Sequence, residues 1–287
     1  MKTDITQEDL DYLLNSENYN IDIHLGGNSR SDYLNAKTLV DKYSLITENK
    51  AVRSYLQRNF EMGAARDLNT HQLLSNMPNV NIPLRINGNK ISITNTRGGV
   101  ERYVRSSEHL YQAFRFVDNT KGYQEDVLAQ NSSMAAKKKA KRIERRQYHK
   151  ECFQNINYQH PDNTREHTLE VIRIMYQVLL IKLAYKQKLS RELVDENFGR
   201  KLLQTGDKII IEVAPKQTGR IDTFWGTKIN ADGTLTGRNI MGKLLMFVRD
   251  NYLEDVKGKT ENTRVVNIPE DMNLNLLGTR LSTITAA

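Results

Sequence analysis

Apolar positions recur along this chain with two periods, and the switching between them lays out its elements. Leu110, Ala113, Phe114 and Val117 fall at i, i+3, i+4 and i+7, one stripe of an amphipathic helix that begins in "RSSEHLYQAFRF" (105–116). Two serines precede it as good N-cap residues and leave Glu108 in the first turn. Residues 166–189 contain neither Gly nor Pro, and a helix over that stretch spans roughly 36 Å at about 1.5 Å per residue. Its stripe of Leu169, Ile172, Tyr176, Leu179 and Leu183 is widened by Val171, Met175 and Val178, so most of its surface is expected to be buried. Shorter helices are predicted for "TQEDLDYLLN", for "NKAVRSYLQRNFEMG" and for the basic stretch from 134 to about 150. Two more are predicted for the run ending in "KLLQTGD", with Gly206 just past its end, and for "NIMGKLLMFVRDNYL", capped by Asn239.

The β signal is shorter. "IPLRINGNKISIT" (82–94) reads as two strands around Asn87-Gly88, the dipeptide favoured in tight hairpins. "KIIIEVA" (208–214) reads as a buried strand from its β-branched content. The fold class predicted is α+β, predominantly helical, with a small β-sheet and accessory terminal segments.

Composition narrows the classes. The chain has 287 residues, 38% of them hydrophobic and 26% charged, with a mean hydropathy of -0.62, as for a globular protein leaning polar. No apolar run reaches bilayer length, and "MKTDITQEDLDYLLN" is acidic, without the apolar centre of a signal peptide; a soluble, cytoplasmic protein is expected. The single cysteine, Cys152, excludes an internal disulfide and any cysteine-based zinc cluster, and the six histidines have no metal-ligand spacing. P-loop, Rossmann and zinc-protease spacings are absent. No cofactor or metal is expected.

Charge is uneven. The net charge is +8, yet residues 1–65 carry 7 Lys/Arg against 10 Asp/Glu, while "MAAKKKAKRIERRQYHK" (134–150) carries 8 basic residues against one acid. The basic segment is either a solvated helix face or a seat for a polyanion.

Two places have the residue types for chemistry. Glu108 either complements the helix dipole or serves as a catalytic carboxylate, and Gln112, one turn on, is placed to hold it or a ligand. His109 reads as a packing or surface residue. The loop 215–239 carries the only tryptophan, Trp225, in "DTFWG", with glycines at 226, 233 and 237 and with Asp222 three residues earlier. The Trp is either a core anchor or a stacking platform. The helix start at Asn239 offers N–H groups to an anion.

Taken in order, "SEHLYQAFRF", "AAKKKAKR", "IM......K", "LLQTGDKIIIE", "D..WG", "G.N" and "GKLLM.VR" resemble the motifs of the NADAR, or YbiA-like, family over roughly residues 66–253. "LLSN" (73–76) resembles the family's opening motif, with Met77 in place of an aromatic. The resemblance implies a compact α+β domain with residues 1–65 as an acidic N-terminal accessory region and 254–287 as a tail. It also implies N-glycosidase chemistry at a ribose–nitrogen bond, with ADP-ribosyl groups on guanine in nucleic acid, or phosphorylated riboflavin-pathway intermediates, as substrates. A non-catalytic sensor of NAD or ADP-ribose is the reading from another class.

Carried over by position, the resemblance makes Glu108, Asp222 and Lys137 catalytic candidates, with Lys137 either reaching the ribose or its phosphate or acting covalently. Trp225, Gln112, Ser75, Asn76, Gly237 and Asn239 become candidates for substrate binding. Modified DNA or RNA would lie along the Lys137–Lys150 segment; no membrane partner is implied. Three departures bear on pocket shape: His167 where the family often has Trp, five extra residues within "KQTGR" before Asp222, and "WGTK" in place of a second glycine.

Overall fold

The computed structural model describes residues 4–19, 42–47, 81–116, 121–144, 165–184, 198–214, 224–251 and 265–286. The chain forms two compact units, each built from stretches far apart in sequence: residues 1–6, 76–198 and 254–287 in one, residues 7–75 and 199–253 in the other. Seven α-helices and thirteen short strands occur among the described residues, a mixed α+β structure.

In the first unit the predicted hairpin forms β3 (Leu84–Ile86) and β4 (Asn89–Lys90). Asn87 and Gly88 both have positive φ, 47° and 84°, as the tight turn between right-twisted strands requires. The tail supplies β10 (Val265–Asn267) and β13 (Thr283–Ala286), completing an antiparallel sheet in the order β10-β13-β3-β4. Two small ribbons flank it, β5 (Ile93–Thr94) with β6 (Val100–Glu101) and β11 (Asn275–Leu276) with β12 (Thr279–Arg280). Four helices follow the chain: α2 (Ser107–Phe114), α3 (Tyr123–Leu128), α4 (Ser133–Glu144) and α5 (Arg165–Ala184).

The predicted stripe of α2 is buried at Leu110, Ala113 and Phe114, whereas Val117 lies outside the described residues. Every apolar residue of α5 from Val171 to Ile181 is buried, because α2 and the strands β10 and β13 cover it from different sides. Buried Gln124 fastens the tail: its amide donates to the carbonyls of Phe116 (3.1 Å) and Asn275 (2.9 Å) and accepts from the N–H of Leu277. Arg173 on α5 ties Asp4 and Asp271 to one guanidinium.

In the second unit, "KIIIEVA" forms β7 (Ile209–Val213), paired in parallel with β2 (Tyr43–Thr47). A second sheet contains β1 (Glu17–Tyr19), β9 (Leu235–Gly237) and β8 (Lys228–Ile229), in that order. Tyr19, Tyr43, Leu45, Ile211, Val213 and Leu235 form one apolar cluster that joins strands of both sheets. The helices are α1 (Gln7–Leu14), α6 (Phe198–Gln204) and α7 (Ile240–Asn251). Past the end of α6, Gly206 has φ 51°, the conformation expected of it. The expected helix at 49–63 lies outside the described residues.

The contact of α7 with β7 depends on Gly242. A Cβ there would stand 2.1 Å from the carbonyl oxygen of Ile210 and 2.6 Å from Asn239 Oδ1. Gly242→Ala is therefore expected to cost about 3 kcal/mol, at the upper end of overpacking penalties, since a backbone atom cannot turn aside. Urea denaturation of the purified variant measures it; a loss under about 0.5 kcal/mol would contradict the close approach.

Candidate functional site

The first set of candidates starts with Ser106. Its backbone is extended (φ -152°, ψ 164°) and its hydroxyl accepts the N–H of His109, which fixes the start of α2 and puts Glu108 in the first turn. Glu108 is 6% exposed. A glutamate that merely complemented the helix dipole would keep its charge in water, whereas burial of a carboxylate is costly unless it is hydrogen-bonded. One oxygen is held: Gln112 Nε2 donates to Glu108 Oε1 at 2.8 Å. Gln112 is oriented in turn by Arg115, which donates to its Oε1 at 3.0 Å and reaches Glu144 at 3.3 Å. The other oxygen of Glu108 takes no hydrogen bond from the described residues. Beside it, the Ser107 hydroxyl is buried with no hydrogen-bond partner among the described residues.

Of the two readings of His109, the structure shows the packing one: the side chain is buried. Its Nδ1 lies 2.8 Å from the Ser106 hydroxyl and its Nε2 lies 2.9 Å from the Gln130 carbonyl. Nε2 therefore carries the proton and donates to Gln130, leaving Nδ1 to accept from Ser106. Ser133 Oγ, 2.9 Å from Ser106 Oγ, closes the network. Burial lowers the His109 pKa.

Lys137 lies on α4, whose Ser133, Ala136, Ala140 and Ile143 are buried. Lys137, Lys138, Lys141 and Arg142 are exposed, while Lys139 pairs with Asp126 at 2.8 Å. Residues 145–150 of the basic segment lie outside the described residues. A second lysine had no role in the sequence reading: Lys182, the last letter of "IM......K". It is 1% exposed, its Nζ is 4.5 Å from the Phe198 ring centroid, and burial pushes its pKa down to about 7. The signal available was a charged residue amid the apolar stripe of α5.

The second set surrounds Trp225, which is partly exposed and packs edge-on against Phe224 at 5.0 Å between centroids. Gly226 lets the loop approach β7: a Cβ there would lie 2.6 Å from the Glu212 carbonyl oxygen. That carbonyl accepts the Thr227 N–H (2.7 Å) and hydroxyl (3.0 Å). Glu212, quoted within the family motif but given no role, thus stands beside the Trp loop.

Asn239 differs from its expected use. It has φ 51°, and its side chain turns away from α7 to bond β7, accepting from Glu212 N–H (2.9 Å) and donating to the Ile210 carbonyl (2.8 Å). It is not the side-chain cap inferred from sequence. The first N–H groups of α7 are also taken, Ile240 by the Phe224 carbonyl (3.3 Å) and Met241 by the Trp225 carbonyl (2.9 Å). The helix start therefore does not present these two groups to an anion, and its bonds hold the Trp loop instead. Gly237 is a buried strand residue paired with Glu17. Asp222, Ser75 and Asn76 lie outside the described residues. The structure thus brings together Glu108 with Gln112 in one unit, and Trp225 with Asn239 in the other. Among the described residues no three His, Cys, Asp or Glu side chains converge as metal ligands would.

A family model described as the NADAR domain matches residues 65–253, a span that includes every one of these residues. The chain belongs to the NADAR family. It matches no curated protein and no solved structure. Membership in NADAR brings glycosidase-type hydrolase chemistry at the family level. No helix among the described residues is long and apolar enough to cross a membrane.

The closed His109 network gives a pH signature. The folded pKa lies below the unfolded value of about 6.5, so the unfolded chain takes the proton first. This contribution is full above about pH 6.5 and is lost as pH falls from there toward the folded pKa. Melting curves at pH 7.5 and 5.5 should show a smaller loss for His109→Gln than for wild type; equal losses would reject the assignment.

Proposed function

We propose that this NADAR protein is an N-glycosidase that hydrolyses a ribose–nitrogen bond, with ADP-ribose attached to guanine in nucleic acid as its substrate. The observation that carries the reading is Glu108, nearly buried, with one oxygen fixed by Gln112 and the other taking no hydrogen bond from the described residues. As the C1′–N bond breaks, positive charge grows on the sugar, and a fixed carboxylate stabilises it. The same carboxylate accepts a proton from the attacking water, whose oxygen bonds C1′; the departing base nitrogen takes up a proton, and free ADP-ribose is released.

The Ser107 hydroxyl beside Glu108, without a partner among the described residues, suits a site whose remaining polar partners come with the substrate. Trp225 is proposed to stack on the base and Asp222 to hold ribose hydroxyls. Ser75, Asn76, Gly237 and Asn239 are proposed as further substrate-binding residues.

The partner follows from α4. Its apolar side is covered by the protein and its exposed side offers Lys137, Lys138, Lys141 and Arg142, two i, i+4 pairs that place cations side by side along the helix. A membrane-surface helix needs an apolar face free for lipid, which α4 lacks, so phosphates of a nucleic acid strand are the proposed occupant. Lys137 is the member assigned to the substrate's own phosphate or ribose.

Guanine-ADP-ribosylated oligonucleotide, free ADP-ribosyl nucleotide and riboflavin-pathway intermediates, offered to wild type and Glu108→Gln, test the chemistry. Wild type is expected to release ADP-ribose from the oligonucleotide, and Glu108→Gln to lose about 10³-fold in kcat while folding normally. Equal rates would remove Glu108 from the mechanism; turnover confined to riboflavin intermediates would replace the substrate; binding of ADP-ribose without turnover by either protein would leave a sensor. Separately, neutralising Lys138, Lys141 and Arg142 should flatten the log Kd against log salt slope for single-stranded DNA by about 2. An unchanged slope would clear α4 of phosphate contact.

A further inference from the structure

The family match begins at residue 65, yet residues 7–19 are built into the second unit through polar bonds to Asn239 and Lys243, the first of which holds the Trp225 loop. Strand β1 lies against β9 in the register Glu17↔Gly237 and Tyr19↔Leu235. That register carries the Tyr19 ring into the apolar cluster and its hydroxyl to Asn239, whose Nδ2 donates to it at 3.2 Å. Burial, with the charge of Glu17 nearby, raises the Tyr19 pKa, so the phenol stays a neutral hydroxyl at ordinary pH.

A second tie runs through Lys243, whose side chain is wholly buried. Its ammonium donates to the carbonyls of Tyr12 (3.0 Å) and Asn15 (2.9 Å) at the end of α1 and pairs with Glu17 at 2.9 Å. Three acceptors satisfy its three protons, and the cation sits where a helix C-terminus favours one. Residues 12–19 are thereby fastened to α7 one turn beyond Asn239.

Asn239 passes this outward. Its backbone N–H donates to Gly226, the next two residues of α7 hold the carbonyls of Phe224 and Trp225, and its amide spans Ile210 and Glu212 on β7. A left-handed Asn with every side-chain bond filled has one orientation; removing the Tyr19 hydroxyl leaves one amide proton with a partner fewer.

We propose that residues 7–19 are a brace for the Trp225 loop, with Tyr19 and Lys243 as positioning residues acting through Asn239. The segment is thus part of the architecture behind the Trp225 loop, and its sequence tunes how firmly Trp225 is held. The functional half of this inference rests on the reading of Trp225 as a substrate-stacking residue; the structural half does not.

Trp225 is the only tryptophan, so intrinsic fluorescence reports this loop alone. Tyr19→Phe keeps the ring and removes the hydroxyl. In the full-length protein it is expected to remain folded, to make Trp225 more accessible to acrylamide quenching, and to raise KM for ADP-ribosylated oligonucleotide about fivefold with kcat nearly unchanged, the loss of one neutral hydrogen bond. A purely structural role would lower the melting temperature and leave quenching and KM alone, which would overturn the proposal. Glu17→Gln, a milder cut at the Lys243 end, should change quenching in the same direction, and decides the matter if Tyr19→Phe does not fold. If wild type turns over nothing, the glycosidase reading falls while the quenching comparison still decides the brace.

Discussion

The second unit depends on one side chain held against backbone preference. Asn239 occupies the left-handed region, which Asn tolerates better than most residues, and from there its amide bridges two residues of β7 while its own N–H holds Gly226. Four pieces of chain meet at that group: β1, β7, the Trp loop and α7. Close approach is possible because Gly226 and Gly242 both face carbonyls of β7 where a methyl group would collide. The glycines and the asparagine of "WG", "G.N" and "GKLLM" therefore act as one packing device, and they set where Trp225 stands.

The first unit holds the opposite kind of feature, a charge in a costly place. Glu108 is buried at the start of α2 with a single side-chain hydrogen bond among the described residues, and that bond to Gln112 is backed by Arg115 and Glu144 in turn. Such a chain fixes the carboxylate's direction without saturating it, as a group meeting charge on a substrate requires. His109 shows the contrast within the same turn. Both its nitrogens are bonded, and burial keeps it neutral.

Local pattern made most of the elements legible. The hairpin at Asn87-Gly88, the capped start of α2, the buried strand at 209–213 and the broad apolar surface of α5 were all readable from period and turn chemistry. The expected α+β class is met, while among the described residues strands take a larger share than a predominantly helical chain implies, since many are two or three residues long and give no periodic signal. Within the site, Glu108 with Gln112 was legible because i, i+4 neighbours on a helix must meet. Lys182, Lys243 and Tyr19 were not, because each acts on a residue or backbone group distant in sequence.

What the sequence by itself determined is the set of short-range facts and the family: helix starts, turns, the charge of α4, and a motif order that marks NADAR. Tertiary structure alone decided that Asn239 serves β7 rather than capping its helix, and that the N–H groups of Ile240 and Met241 grip a loop rather than await an anion. It also decided that the tail adds strands to the hairpin's sheet and that Lys243 closes the end of α1. The reason is the same in each case. A hydrogen-bonding group near a helix end satisfies itself with whichever partner packing brings within about 3 Å, and no local pattern states which distant strand arrives there.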